Sequence, residues 1–171
     1  MPSFTFLSDA ANELLSDEAF RHYGKTGNST IPGSLEKLSN LRSEDLFKSP
    51  VINDSMAECC LSGLWLLHSF LDRSHSISQD IHSPEGSYWH GIMHRMEGDF
   101  GNSKYWGRQV GSHHPVFETL DQQTPAGWNY DDFVDACQQA ASSALPDPAV
   151  HETAIAEWVA LFEHCGNHAV E

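Results

Sequence analysis

Apolar residues recur at helical spacing along most of the chain, and strict alternation of apolar and polar residues is not sustained over a useful length. This pattern predicts an all-α fold, a single-domain helical bundle over residues 1–171 with about five to seven helices. The longest predicted helix runs from Ser55 to Asp80, and the next runs from Ser87 to Glu97. The short connection around Pro84 predicts that these two helices pack as antiparallel neighbours.

Shorter helices are expected before and after this pair, each marked by a capping residue or a helix breaker. The predicted helix starts are Ser8 or Asp9, Ser43, Asn102, Pro115, Asn129 or Asp131, and Asp147 with Pro148. The first of these helices is expected to end near Tyr23 and the helix from Asn129 near Ala144, whereas Gly111 and Gly166 end two others. Loops are expected at residues 24–33 and 124–127, where glycine and proline interrupt the helical spacing.

The two central helices carry the same spacing of potential metal ligands. These are His68, Asp72 and His75 on the first helix, and His90, His94 and Glu97 on the second. Positions i, i+4 and i+7 of an α-helix lie within a sector of roughly 60°, so each helix presents two imidazoles and one carboxylate in one stripe. If the two stripes face each other, their nitrogen and oxygen atoms suit a divalent metal such as zinc, iron or manganese.

The neighbours of each stripe indicate which way it points. Leu64 and Leu71 lie within roughly 60° of His68, whereas the polar residues of that helix gather in another sector, so the first stripe is expected to face inward. The second stripe lies at the border of an apolar side, which fits a pocket rim and ordinary surface residues equally well. Three interpretations stay open: a metal site, a polar pocket without metal, and a structural hydrogen-bond network.

The segment from Gly86 to Pro115 is locally basic in a protein whose net charge is −15. Lys104 and Arg108 are spaced i, i+4, and a helix start at Asn102 would add free backbone N–H groups, so we expect a small anionic molecule to bind here. The alternative is that the basic residues only neutralise nearby acids. Aromatic residues in this segment either pack in the core or form a pocket wall. The predicted ligand-binding residues are Trp89, Asp99, Asn102, Lys104, Tyr105 and Arg108.

A catalytic role would fall on residues of the same segment, 87–106. His90 or His94 is the predicted general base or metal ligand, because imidazole titrates near neutral pH. Arg95 and Lys104 would stabilise developing negative charge. The leading hypothesis is a small-molecule-binding protein with a buried histidine and carboxylate site, and metal-dependent hydrolase or lyase chemistry is its catalytic version. The alternative is a non-catalytic helical binding or scaffold module with a structural histidine and carboxylate network.

Charge and composition restrict partners and location. The 24 acidic residues exceed the nine Lys and Arg, so neither nucleic acid nor an anionic membrane is an expected partner, whereas a homo-oligomer is compatible with the sequence. The longest nearly apolar run, Cys59–Leu67, is too short to span a bilayer. The four cysteines have no Cys-x-x-Cys spacing, and no export signal is seen, so we expect reduced thiols in a cytoplasmic protein.

The run Tyr88–Arg95 reads Tyr-Trp-His-Gly-Ile-Met-His-Arg. This run and its surroundings, from about Asp72 to Phe117, resemble a group of uncharacterised soluble proteins with a Tyr-Trp-His-x-Ile-Met-His-Arg signature. The resemblance implies no activity, cofactor or partner. The chain departs from the group at Met96, where a second arginine is expected, and in the doubled histidine before Pro115. Loss of a cation beside Arg95 weakens the case for an anion site.

Overall fold

The computed structural model describes residues 2–24, 31–124, 127–143, 145 and 147–171. Within these ranges the chain is helical without a β-strand, and the predicted all-α class is confirmed. The helices are α1 (Asp9–Asn12), α2 (Asp17–His22), α3 (Ser34–Ser39), a 3₁₀ helix (Ser43–Leu46), α4 (Asp54–Leu67), α5 (Leu71–Ser78), α6 (Pro84–Glu97), α7 (Phe100–Val110), α8 (Pro115–Gln123), α9 (Tyr130–Ala141) and α10 (Pro148–Val170). The described ranges thus hold more helices than the predicted five to seven.

The prediction of one continuous helix from Ser55 to Asp80 is wrong, because two separate helices, α4 and α5, occupy this segment. Ser69 has a φ of 62° in the left-handed region, and the N–H of Phe70 donates to the carbonyl of Trp65 at 2.9 Å. The N–H of Ser69 also donates to the carbonyl of Leu66 at 2.9 Å, and the two bonds form a Schellman motif, which satisfies carbonyls at the end of α4 and turns the chain. The rings of Trp65 and Phe70 meet edge to face at 5.4 Å, the apolar contact that accompanies this motif.

Two helix starts also differ from the prediction. Ser83 caps α6 and Pro84 occupies its first position, so the helix begins before the predicted Ser87. Proline suits the first position of a helix, because a backbone N–H at this position has no acceptor inside the helix and proline has no N–H. Asp99, rather than Asn102, caps α7 by accepting the backbone N–H of Asn102 at 3.0 Å. In both cases a polar residue earlier in the chain accepts a backbone N–H of the first turn, so the helix begins before the predicted residue.

Of the other predicted helix boundaries, some are confirmed and some are wrong. Ser8, Asn129 and Asp147 cap α1, α9 and α10 as expected, and Pro115 begins α8. The first helix is interrupted, since Ser16 caps a separate α2, and Arg42 rather than Ser43 is the cap of the 3₁₀ helix. Helix α9 ends at Ala141 instead of near Ala144. The predicted loops at 24–33 and 124–127 lie partly outside the described residues.

Gly166 does not end the last helix, which continues to Val170. A Cβ atom at Gly166 would collide with the ring of Phe6. The glycine is therefore explained by close packing of the N-terminal segment on α10, and this requirement comes from tertiary structure rather than from helix capping.

Helix α6 lies at the centre of the fold, where it packs against α4, α5 and α7. Its residues from Glu85 to Arg95 are all buried, including the polar ones. Close approach of α4 is possible because Gly63 faces the ring of Trp89, where a Cβ would come within 2.8 Å of ring atoms. Burial on every side places the histidines of α6 inside the protein. Among the described residues, no helix has the length and apolarity needed to cross a membrane.

Candidate functional site

Three imidazoles converge where α5 packs on α6. His75 comes from α5, and His90 and His94 lie one turn apart on α6; their candidate ligand atoms lie within 4.8 Å of one another. The ring centre of His90 lies 4.7 Å from the ring centre of His75 and 4.7 Å from that of His94. The ring centres of His75 and His94 are 5.7 Å apart. Three nitrogens bound to zinc at 2.0–2.1 Å lie about 3.3 Å apart, so these ligand atoms would have to approach one another by at most about 1.5 Å to bind one ion.

Neighbouring side chains orient two of the three rings. The Nδ1 atom of His94 lies 2.6 Å from Oε1 of Glu97, and the Nδ1 atom of His90 lies 3.0 Å from Oγ of Ser78. The ring of Trp106 packs on His90 at a centroid distance of 4.3 Å. Ser78 escaped sequence reasoning, although its position three residues after His75 places it on the same side of α5.

Burial decides the protonation state of His90. Its residue is 3% exposed, and desolvation, reinforced by His94 and His75, lowers its pKa to about 4. The ring is therefore neutral near pH 7. Neutral imidazole has a free lone pair, which a metal ion requires. His94 is also buried, whereas His75 is half-buried and provides the more accessible side of the cluster.

The remaining two residues of the predicted ligand set lie elsewhere. His68 is buried at the end of α4, where its Nε2 lies 3.0 Å from the carbonyl oxygen of Leu14, and burial lowers its pKa. Asp72 is exposed on α5. The expected stripe of His68, Asp72 and His75 does not exist, because the left-handed turn at Ser69 separates the first residue from the other two.

Arg95 occupies a different part of the interior from the histidines. Its guanidinium forms an ion pair with Glu157 of α10, and both side chains are buried. The ring of Phe133 lies 4.6 Å from the guanidinium, a favourable cation–π contact. Glu157 was not anticipated, although it falls on the apolar stripe of α10 three residues after Ala154. This position is a signal for a buried acid.

The two cations predicted to hold an anion are engaged by acids of α9. The Nζ atom of Lys104 lies 2.6 Å from Asp135, and the guanidinium of Arg108 lies 3.8 Å from Asp131. A shallow cleft of about 340 Å³ adjoins the first of these pairs, and it is lined by Gly98, Phe100, Gly101, Lys104, Asp135 and Gln138. The three clustered histidines are not among its lining residues.

The other predicted ligand-binding residues have separate roles. Asp99 caps α7 and also accepts a bond from the side-chain amide of Asn102 at 3.2 Å. Trp89 is fully buried, with its ring 6.1 Å from that of Trp158 in the core. Tyr105 is 49% exposed. The structure does not bring these four predicted residues together around one cavity.

A second polar cluster, also missed as a unit, joins α6, α8 and α10. Oε1 of Glu85 lies 3.3 Å from Nε2 of His114 and 3.2 Å from Nε2 of His164. Burial would raise the pKa of Glu85, but hydrogen bonds from His114, His164, the backbone and Ser83 together outweigh burial and hold that pKa well below its ordinary value. His164 is half-buried. His114 is buried.

Comparisons of this chain with protein-family models, with curated proteins and with solved structures gave no match. The protein does contain buried histidine and glutamate groups that could hold a metal ion. Function is therefore inferred from the geometry of these groups.

Proposed function

We propose that His75, His90 and His94 bind a divalent metal ion and that zinc fits this ligand set best. The observation that carries the proposal is the convergence of three imidazoles from two packed helices, with candidate ligand atoms within 4.8 Å. Imidazole nitrogen suits zinc, and three histidines are a known ligand set of catalytic zinc sites. Iron and manganese are the other candidates, but both commonly take carboxylate oxygen as well.

Three protein ligands leave one position of a tetrahedral metal open. A divalent metal at such a position can polarise a carbonyl or lower the pKa of a water molecule, which is the basis of metal-dependent hydrolase and lyase chemistry. The half-buried His75 lies on the accessible side of the cluster, where a substrate could approach. A small anion is the proposed ligand class, and the metal, rather than the paired Lys104 and Arg108, would attract it.

Metal analysis of protein purified without a histidine tag tests the site. We expect about one zinc per chain, lost in a His75→Ala, His90→Ala double variant and retained in a control with the exposed His82 and His113 replaced by alanine. Added zinc at about 100 times its Kd should stabilise the wild type by about 2.7 kcal/mol and leave the double variant unchanged. Wild-type protein that contains no metal and gains no stability with added zinc would refute the site.

Activity is tested separately with chromogenic carboxylate and phosphate esters, with and without zinc. Turnover that requires metal and disappears in the double variant supports the hydrolase proposal. Stoichiometric zinc without turnover of these esters would leave a zinc-binding site without hydrolase activity. Absence of metal would instead favour the non-catalytic alternative, in which the same histidines act as a structural network.

A further inference from the structure

The position of the proton on each histidine distinguishes the two polar clusters. A carboxylate can only accept hydrogen bonds, so the 2.6 Å contact with Glu97 requires a proton on Nδ1 of His94. In the neutral ring the lone pair then lies on Nε2, away from Glu97. A carboxylate bonded to the far nitrogen is the arrangement that orients metal-binding histidines and raises their basicity.

Ser78 allows the same arrangement at His90, because a hydroxyl can accept as well as donate. The Oγ of Ser78 lies 3.5 Å from the carbonyl oxygen of His75, to which its hydroxyl can donate. The oxygen is then free to accept from Nδ1–H of His90 at 3.0 Å. With that proton on Nδ1, the lone pair of a neutral His90 ring also lies on Nε2. In this arrangement both histidines of α6 have the same nitrogen available.

The second cluster has the opposite arrangement. Nδ1 of His114 accepts the backbone N–H of Val116 at 3.3 Å, which caps α8. The proton of a neutral His114 must therefore lie on Nε2, where it donates to Glu85 at 3.3 Å. A metal bound at Nε2 would displace that proton, and the neutral ring would then carry its proton on Nδ1. Nδ1 could no longer accept the N–H of Val116, so α8 would lose its cap. The ligand atoms of Glu85, His114 and His164 also lie within 4.8 Å of one another, but their hydrogen bonds occupy the atoms that a metal would need.

From these contacts we propose that Glu97 and Ser78 are positioning residues of the metal site, which hold Nδ1–H on His94 and His90 and present Nε2 of both rings to one metal ion. This inference rests on the proposed metal site. It adds which nitrogens bind and which side chains select them, and it assigns the Glu85–His114–His164 cluster no metal.

Zinc affinity and histidine tautomers test the proposal together. Competition with a chromophoric chelator should show Kd about 10–100-fold weaker in Glu97→Ala, and weaker by a smaller factor in Glu97→Gln, whose amide still offers an acceptor. Ser78→Ala should also weaken zinc binding. Glu163→Ala, at an exposed glutamate of α10, and His164→Ala in the second cluster should both retain wild-type Kd. Long-range ¹H–¹⁵N spectra of the metal-free wild type should show a protonated Nδ1 on His94, and Glu97→Ala should shift that ring toward the Nε2–H tautomer.

The outcomes separate the two proposals. Absence of zinc binding in the wild type would overturn the metal site itself. Zinc binding that is unchanged within twofold in Glu97→Ala and Ser78→Ala would overturn only the positioning roles, as would an Nε2–H tautomer of His94 in the wild type. Loss of zinc in His164→Ala, with the fold intact by circular dichroism, would instead place the metal at the second cluster.

Discussion

Arg95 of α6 and Glu157 of α10 form an ion pair inside the protein, with side chains 5% and 0% exposed. Removing one partner would leave the other as an uncompensated buried charge, so Arg95→Ala or Glu157→Ala should each cost about 3–5 kcal/mol of unfolding free energy. Replacing both together, Arg95→Met with Glu157→Leu, should recover most of that loss. Urea unfolding at equilibrium measures all three variants. A loss below about 1 kcal/mol in both single variants would contradict a buried pair.

The left-handed turn at Ser69 should respond to glycine in the opposite way from an ordinary helical position. Ser69 has a φ of 62°, which costs an L-residue free energy but not glycine, so Ser69→Gly should stabilise the protein by about 0.5–1 kcal/mol. The control is Ser76→Gly, an exposed site within α5, which should lose about 0.5–1 kcal/mol. Thermal and urea unfolding compare them. Equal losses at both sites would show that the turn is not strained.

Glu85 should make stability depend on pH at the junction of α6, α8 and α10. Its pKa is lower in the folded protein than in the unfolded chain, so its contribution is fully present above about pH 4.3 and is lost as the pH falls further. We expect Glu85→Gln to cost about 1–3 kcal/mol at pH 7. The difference from wild type should shrink between pH 5 and pH 3, in unfolding measured by urea at each pH.

The matched control for this pH series is Glu163→Gln, at an exposed glutamate of α10. Its unfolding free energy should differ from wild type by less than about 0.5 kcal/mol at every pH. A Glu85→Gln difference that stays constant from pH 7 to pH 3 would indicate lost packing rather than lost charge.

Two glycines of α7 should respond oppositely to alanine. A Cβ at Gly107 would collide with the ring of Tyr130 at the start of α9, so Gly107→Ala should destabilise the protein by about 1–3 kcal/mol. A Cβ at Gly101 would meet only Oδ1 of Asp99 at an ordinary 3.8 Å, so Gly101→Ala should add about 0.5–1 kcal/mol through helix propensity. Differential scanning calorimetry distinguishes the signs. Similar melting temperatures for both variants would contradict close packing of α7 on Tyr130.

Helix starts were predictable where the capping bond is local. Ser8, Asn129 and Asp147 each bond a backbone N–H two or three residues further along, and the sequence alone contains both partners. The break at Ser69 was not predictable in this way, because serine rarely adopts a left-handed conformation. It is held there by the contact between Trp65 and Phe70 within a packed core. Local helix propensity therefore predicted one continuous helix, whereas tertiary packing interrupts it.

The candidate site also has one part that local sequence predicts and another that tertiary packing decides. His90, His94 and Glu97 lie on one face of α6 because helical periodicity requires it, so their spacing along the chain was enough to group them. Which residues join them depends on how α5 is rotated against α6. The turn at Ser69 sets that rotation by directing His75 toward the pair and leaving His68 with Leu14. Arg95 finds Glu157 sixty-two residues further along the chain. Contacts of this kind arise from packing between distant segments, which local periodicity does not encode.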